Sequence, residues 1–586
     1  MSAATSDFDG VRLAILTNRL AAVCGKMANT LHRTGRSGVL NTARDFSCCI
    51  ITRDHQLLSV VESQPIHVLA GPDEMARTMA ELHDDVRPGD AYIHNSPYHG
   101  CSHPADHTII VPIFDDDGEY RFAVEAKAHQ SDCGNSIPTT IVPTARDVYE
   151  EGALIFAATR IQRDYRDVED IVRMCQMRIR APQQWHGDYL AMLGAARIGE
   201  RELVALGREV GWAALEAYTD EWFGYSERCM ADALQALPSG TRTVHTRHDP
   251  IAGAPKGIPI AVTVAIDTAE GYADIDLRDN PDCMDNGLNL NDAAARTAAL
   301  LGLFNSIDDN VPANAGSFRR VRVHLRENCC VGIVRHPHSC SAGTTNLSDR
   351  VINSVQRAIA ELAEGRGLAE GGYVLPPGFG GIAGVDPRTD EYYVNYLMLG
   401  FGAGPGAPTE DYWLSLGTVG VGGIIRYDAV EVDELRYPLL VRERRCVPDT
   451  EGAGRFCGAP NVFVEFGPTH GEMMVGFSSD GVVNPARGVR GGADGAPARQ
   501  YRRSRNGELG ELDSWAPVHL EQGETILSYA AGGGGYGPPG ERAPERVAAG
   551  VREGWVSAER AATVYGVVLD NSGEVDETAT ARRRAA

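Results

Sequence analysis

The chain has 586 residues, 43% hydrophobic and 23% charged, with a mean hydropathy of −0.23, which excludes both wholesale disorder and a membrane-embedded protein. A formal net charge of −24 opposes a polyphosphate backbone, and the basic runs Arg442, Arg444, Arg445 and Arg502, Arg503, Arg505 are too short to reverse it, so no nucleic-acid partner is expected. The length points to roughly two to four domains. No apolar run reaches the roughly eighteen residues of a membrane span, and Asp7 and Asp9 replace the basic residues of a secretory leader, so a cytoplasmic protein is expected.

In chain order, apolar residues at helical spacing from Val11 to Leu31 predict an amphipathic helix over residues 9–34. Residues 45–52 and 57–61 read as a strand hairpin with Asp45 at its start, and residues 73–83 as a helix closed by Pro88-Gly89. A strand over 91–94 leads into a loop rich in histidine, followed by strands 107–114 and 121–128 about the turn Asp115-Asp116-Asp117-Gly118. Helix dominates residues 165–236; strand is expected over 262–277 and 320–325, helix over 292–305 and 347–364. Glycine-rich residues 367–423 read as an irregular joining region, residues 463–529 as strand-like, Gly532 to Gly537 as a turn, and 544–565 as helix. The fold class expected is α+β, a multi-domain mixture of helix and sheet with a metal site near the N-terminal sheet. Its expected parts are 1–160 (metal site), 161–365 (helix and strand) and 366–586 (joining region and strand-rich end).

The loop His94-Asn95-Ser96-Pro97-Tyr98-His99-Gly100-Cys101-Ser102-His103-Pro104-Ala105-Asp106-His107 holds four of seventeen histidines, and His129 follows the next hairpin with Asp132. Singly, such histidines read as solvated or hydrogen-bonded residues. As a set, His103 and Asp106 lie three apart across a proline turn and the hairpin returns His129 to them, which reads as a catalytic metal site. Imidazole and carboxylate donors without a necessary thiolate suit a divalent ion such as zinc, manganese or iron. That ion could lower the pKa of bound water to roughly 7 or polarise a carbonyl or phosphoryl oxygen. Thirteen scattered cysteines with no CxxC read as free thiols, with Cys101 and Cys133 the first to test as nucleophiles. No Walker sequence, GxSxG elbow or HExxH helix occurs.

Arg44-Asp45-Phe46-Ser47-Cys48, Gln64-Pro65-Ile66-His67, Arg87-Pro88-Gly89-Asp90, Asn95-Ser96-Pro97-Tyr98, His103-Pro104-Ala105-Asp106 and Ala128-His129-Gln130-Ser131-Asp132-Cys133-Gly134 resemble, in order, signatures of the hydantoinase B/oxoprolinase family. Tyr149-Glu150-Glu151-Gly152, Asn314-Ala315-Gly316-Ser317-Phe318-Arg319, Ala342-Gly343-Thr344-Thr345-Asn346 and the Gly532 to Gly537 tail continue the series. The resemblance implies Asp45, His103, Asp106 and His129 as metal ligands, with His103, Asp106 and His129 at the chemistry. It makes Asp132 a candidate to orient a ligand histidine and His67 a lesser pocket candidate. It further implies a hetero-oligomer with an actin-like ATPase of the hydantoinase A type, which uses ATP to phosphorylate a small-molecule substrate. The implied reaction is hydrolysis of a cyclic amide (hydantoin, 5-oxoproline or lactam), the alternative carboxylation of a ketone of the acetone or acetophenone type. A non-catalytic scaffold is the third reading, opposed by the intact ligand set.

Overall fold

The structure, a computed structural model, describes residues 10–585 except 62, 308, 309 and 415. Helix α1 (Gly10–Thr34) buries Leu13, Leu16, Leu20, Val23, Met27 and Leu31 along one stripe, as their spacing requires. Residue 9 of the expected helix lies outside the described residues.

β1 (Phe46–Thr52) and β2 (Leu57–Val60) form the expected hairpin, followed by the short helix α2 (Pro65–Val68) and α3 (Pro72–Leu82), each with proline in its first turn. β3 (Ala91–His94), β4 (Asp106–Phe114), β5 (Tyr120–His129), β6 (Thr159–Arg163) and β7 (Arg166–Asp167) complete an antiparallel sheet of order β2-β1-β5-β4-β3-β6-β7. The two faces of β5 differ. Phe122, Val124, Ala126 and Ala128 join the core shared with α1 and with α4 (Pro182–Val210), whereas Ala123 packs on the α3 side, the face that Glu125, Lys127 and His129 share by strand alternation. One connected core draws residues from Leu13 to Ile425.

α5 (Trp212–Gln235) leads to a second sheet of order β11-β10-β9-β8, made of β8 (Gly240–His248), β9 (Ile258–Asp267), β10 (Tyr272–Asp276) and β11 (Val321–His324). The single stretch expected over 262–277 is thus two antiparallel strands, because the polar residues before Gly271 make a turn with Gly271 at φ +66°. α6 (Asp292–Phe304) and α7 (Asn346–Leu362) lie where helix was expected.

The joining region is more regular than its glycine content implies. It contains β12 (Gly381–Asp386) and β13 (Glu391–Tyr396), paired over their whole length. Glycine there marks close approach and not a break: a Cβ on Gly384 would lie 2.8 Å from the Glu472 carbonyl oxygen. β14 (Leu439–Cys446), β15 (Val462–Pro468), β16 (Glu472–Ser478), β17 (Arg499–Arg503), β18 (Leu509–Glu511), β19 (Trp515–Glu521) and β20 (Thr525–Tyr529) complete two further sheets, β13-β12-β16-β19 and β14-β15-β20-β17-β18. Ile382 and Val475 of one and Val464, Phe466 and Ile526 of the other share a core. The Gly532 to Gly537 tail is likewise a packing element, since a Cβ on Gly533 would meet the Gly404 carbonyl oxygen at 2.0 Å. No described helix is long and apolar enough to cross a membrane. The mixed helix-and-sheet, several-sheet architecture is the α+β class expected.

Candidate metal centre

Strand register builds the site. Asp106 opens β4 directly opposite His129, which closes β5, and Phe46 at the start of β1 faces Ala128. The His129 amide donates to the Asp45 carbonyl at 3.1 Å, so Asp45, His129 and Asp106 stand side by side at one end of three adjacent strands. The loop bearing His103 is fastened by Asn291 Nδ2, which donates to the Cys101 and Ser102 carbonyls, and by Thr344 Oγ1, which donates to the latter.

His103 Nε2 and His129 Nδ1 each lie 3.1 Å from Asp106 Oδ1, and the three residues are buried with ligand atoms within 4.8 Å of one another. Ser102 Oγ donates to Asp106 Oδ2. His67, on α2, completes the group: its Nε2 is 3.4 Å from Asp106 Oδ2 and 3.7 Å from Asp45 Oδ1. Asp45 Oδ1 is buried without a hydrogen-bond partner among the described residues.

The tautomer of His103 is set by its surroundings. Its Nδ1 donates to the Ser341 carbonyl at 2.9 Å, so in the neutral ring Nε2 presents a lone pair to a carboxylate oxygen. Two acceptors face each other there. A second proton or a cation relieves that conflict, and a carbonyl holding the far nitrogen is the arrangement metal-ligating histidines adopt. The imidazole pKa follows suit: burial lowers it, but Asp106 outweighs burial and raises it above the ordinary 6.5. Burial pushes Asp106 up, yet His103 and His67 outweigh it and hold the carboxyl well below its usual range. Burial lifts Asp45 to about 6 and lowers His67 to about 3. Among the described residues no lysine or arginine side chain bonds either carboxylate; Lys127 Nζ, the near candidate, donates to the His67 carbonyl at 2.8 Å. An oxygen-and-imidazole donor set with one orphaned buried oxygen fits a divalent cation.

The site lines a cavity of about 40 Å³, walled by Ile141, Leu375, Phe379, Met398 and Ile425, with Gln64, Thr344 and Thr345 as polar lining. His129 Nε2 meets Thr140 Oγ1 at 2.9 Å and its ring lies edge-on to Tyr396. Tyr396 belongs to β13, inside the region expected to be irregular, so no sequence signal pointed to it. His67 was visible only through its motif.

Other candidates lie elsewhere. Asp132 accepts from the Gly134 and Arg180 amides at 3.0 and 2.7 Å and pairs with Arg180, and so shapes a loop instead of orienting a histidine. His94 and His107 are buried, not solvated: His94 Nδ1 accepts from the Ala158 amide and His107 Nδ1 from Trp185 Nε1. His99 bonds Ser96 Oγ at 2.8 Å. Burial raises the Cys101 thiol to about 11 and Cys133 well above its ordinary value, which disfavours either as a thiolate nucleophile. All thirteen cysteines are free.

Fold and site together define an α+β protein organised around a buried histidine–carboxylate centre at the ends of its N-terminal strands. The chain belongs to the hydantoinase B/oxoprolinase family, whose model matches residues 9–539. It is 28% identical over 585 residues to the beta chain of the caprolactamase of Pseudomonas jessenii, covering 99% of each chain. It is also 28% identical to the B-type chain of a putative D-/L-hydantoinase of Pseudomonas sp. (strain NS671), covering 97% of this chain and 96% of that one. The ATP-dependent caprolactamase structure from Pseudomonas jessenii superposes with a TM-score of 0.88 at 27% identity, over 99% of this chain and 100% of that one. A nucleotide-free acetone carboxylase shares the fold, with a TM-score of 0.84 at 17% identity, over 98% of this chain and 82% of that one. The family expected from the ordered motifs is borne out.

Proposed function

We propose that this chain is the metal-dependent catalytic subunit of an ATP-dependent cyclic amide hydrolase. Asp45, His103, Asp106 and His129 would hold a divalent ion, zinc, manganese or iron, with His67 as a further donor. The observation that carries the reading is the facing of His103 Nε2 and His129 Nδ1 on Asp106 Oδ1, both at 3.1 Å, with the far nitrogen of His103 committed to a carbonyl. When bound, the ion would supply Lewis acidity toward a carbonyl or phosphoryl oxygen and acidify water.

The protein's own groups do the rest. The Ser341 carbonyl and Thr140 fix the two histidine rings, a constraint that keeps their inner nitrogens directed at the centre. Ile141, Leu375, Phe379 and Met398 exclude bulk water from the centre, while Gln64 and Thr345 offer hydrogen bonds to an amide. Burial lifts the Tyr396 phenol to about 12, so it keeps its proton and acts as a donor.

No Walker sequence occurs in the chain, and the caprolactamase and hydantoinase relatives are each named as one subunit of a larger enzyme, which supports a separate partner. We assign that role to an actin-like ATPase of the hydantoinase A type, working with this chain in the cytoplasm, where ATP is at hand. Phosphorylation of the ring carbonyl oxygen would turn a resonance-stabilised amide into an electrophile with a good leaving group. The complex, given ATP and a cyclic amide, should release the opened ring, stop on chelation and recover with zinc, manganese or iron. Fast ring opening by the isolated chain without ATP would overturn the reading. The shared fold of acetone carboxylase keeps a ketone-carboxylase role as the second reading; ATP consumption that depends on carbon dioxide would select it.

A further inference from the structure

Ile425 is a wall of two cavities. One is the cavity of the histidine–carboxylate centre; the other, of about 670 Å³, is lined by Arg44, Phe46, Gly422, Gly423 and Arg426 among others. Consecutive residues divide between them, with Asp45 lining the inner chamber and Arg44 the outer. Arg44 holds a left-handed φ of +62°, a conformation a non-glycine residue keeps only where its surroundings enforce it. Here they do: Gln64 Nε2 donates to the Arg44 carbonyl at 3.3 Å, and the Arg426 amide donates to the Ala43 carbonyl at 2.9 Å, tying the two outer-chamber segments to each other and to the inner wall.

The charged lining of the outer chamber is Arg44 and Arg426. Neither guanidinium has an ion-pair or hydrogen-bond partner among the described residues, although the chain carries 79 acidic residues against 55 basic ones. Burial, then the charges of Arg44, Arg33 and Arg426, hold the nearby His32 imidazole below its ordinary range. The inner chamber is lined by no lysine or arginine. A planar guanidinium with free N–H groups is suited to bidentate bonding of phosphoryl oxygens.

We propose that the outer chamber is a phosphoryl-binding site, in which Arg44 and Arg426 clamp the phosphoryl group of the activated substrate beside the wall shared with the inner chamber. This rests on the hydrolase reading only for the identity of the ligand; the oxyanion chemistry is that of the two arginines. A concave chamber sharing a wall with the reaction cavity favours a small ligand over an acidic protein surface.

The test is calorimetric titration of the full chain with inorganic phosphate, metal-loaded and again after chelation. Arg44→Gln/Arg426→Gln should raise the dissociation constant at least about tenfold in both preparations, while the exposed control Arg442→Gln leaves it unchanged. Arg426→Gln alone, an exposed position that should leave folding intact, should raise it severalfold. Equal affinity in wild type and double variant, or binding lost on chelation alone, overturns the proposal. So does a double variant that loses affinity for polyglutamate but keeps its affinity for phosphate, which would make this face a protein-docking surface. The titration involves neither ATP nor ring opening, so its outcome is independent of the hydrolase assay.

Discussion

Two buried charge clusters in this chain differ in whether their donors and acceptors match. Around Asp480 they do. Arg350 Nε and Nη2 donate to its two oxygens at 2.7 and 2.8 Å, and the Asp249 and Gly481 amides add bonds at 3.0 and 2.9 Å. The guanidinium also lies 3.4 Å from the centroid of the Tyr373 ring. Around Asp106, three imidazoles meet two carboxylates, one with an unpartnered oxygen, and among the described residues no guanidinium or ammonium bonds either acid. Burial alone therefore does not mark a functional site. The excess of acceptors is what sets the Asp106 cluster apart from Asp480, because a buried polar group without a partner costs about 1–3 kcal/mol and calls for a proton, a water or an ion.

The comparison breaks most sharply under substitution. Arg350→Met leaves Asp480 charged and unpaired and should cost about 3–5 kcal/mol in urea unfolding, with turnover per folded molecule unchanged. Burial raises Asp480 but Arg350 outweighs it, so the folded pKa lies below the ordinary 3.8. The contribution of the pair should accordingly hold across neutral pH and fade only as pH falls below that value. Asp106→Asn reverses the pattern: it should cut turnover of the complex by at least about a hundredfold, or about 2.7 kcal/mol at 1.36 per decade, since even outer partners of a metal site are worth 10–100-fold. Zinc, manganese or iron should raise the melting temperature of the wild type, and Asp106→Asn should abolish that rise. Full turnover in Asp106→Asn, or the same metal-induced shift, would erase the distinction drawn between the clusters. Thr140→Val removes only the hydroxyl facing His129 and should cost about tenfold in turnover, with thermal unfolding little changed.

How much of this was legible beforehand follows the same division. The strands ending at Asp106 and His129 were readable because apolar runs on both sides of an acidic turn fix a hairpin, and a hairpin fixes who stands opposite whom. Family motifs supplied Asp45. The far wall was not legible: Tyr396, Leu375 and Met398 lie 246 residues and more from His129 in sequence, within a glycine-rich stretch whose glycines signal close packing that only the folded backbone reveals. The Arg350–Asp480 pair was equally hidden, since nothing local links residues 130 apart.

A third cluster shows another way to settle an excess of acceptors. Asp428 and Asp433 are buried beside one another near Arg436 and Arg444; burial, reinforced for Asp433 by the charge of its neighbour, raises them to about 6 and about 8. A carboxylic acid raised in the folded state stabilises the fold below its ordinary value, 3.8 here, and that stabilisation is lost as pH climbs through the raised values. A shared proton thus does for this pair what arginine does for Asp480 and what a cation would do for Asp106. Asp433→Asn removes the need for the proton while keeping a hydrogen bond to Asp428. Wild type should therefore lose stability relative to this variant between pH 5 and pH 9, by at least about 1 kcal/mol for a shift of this size. Parallel unfolding curves for the two proteins across that range would show that the acids are already relieved by Arg436 and Arg444, and that the proton is not what closes the cluster.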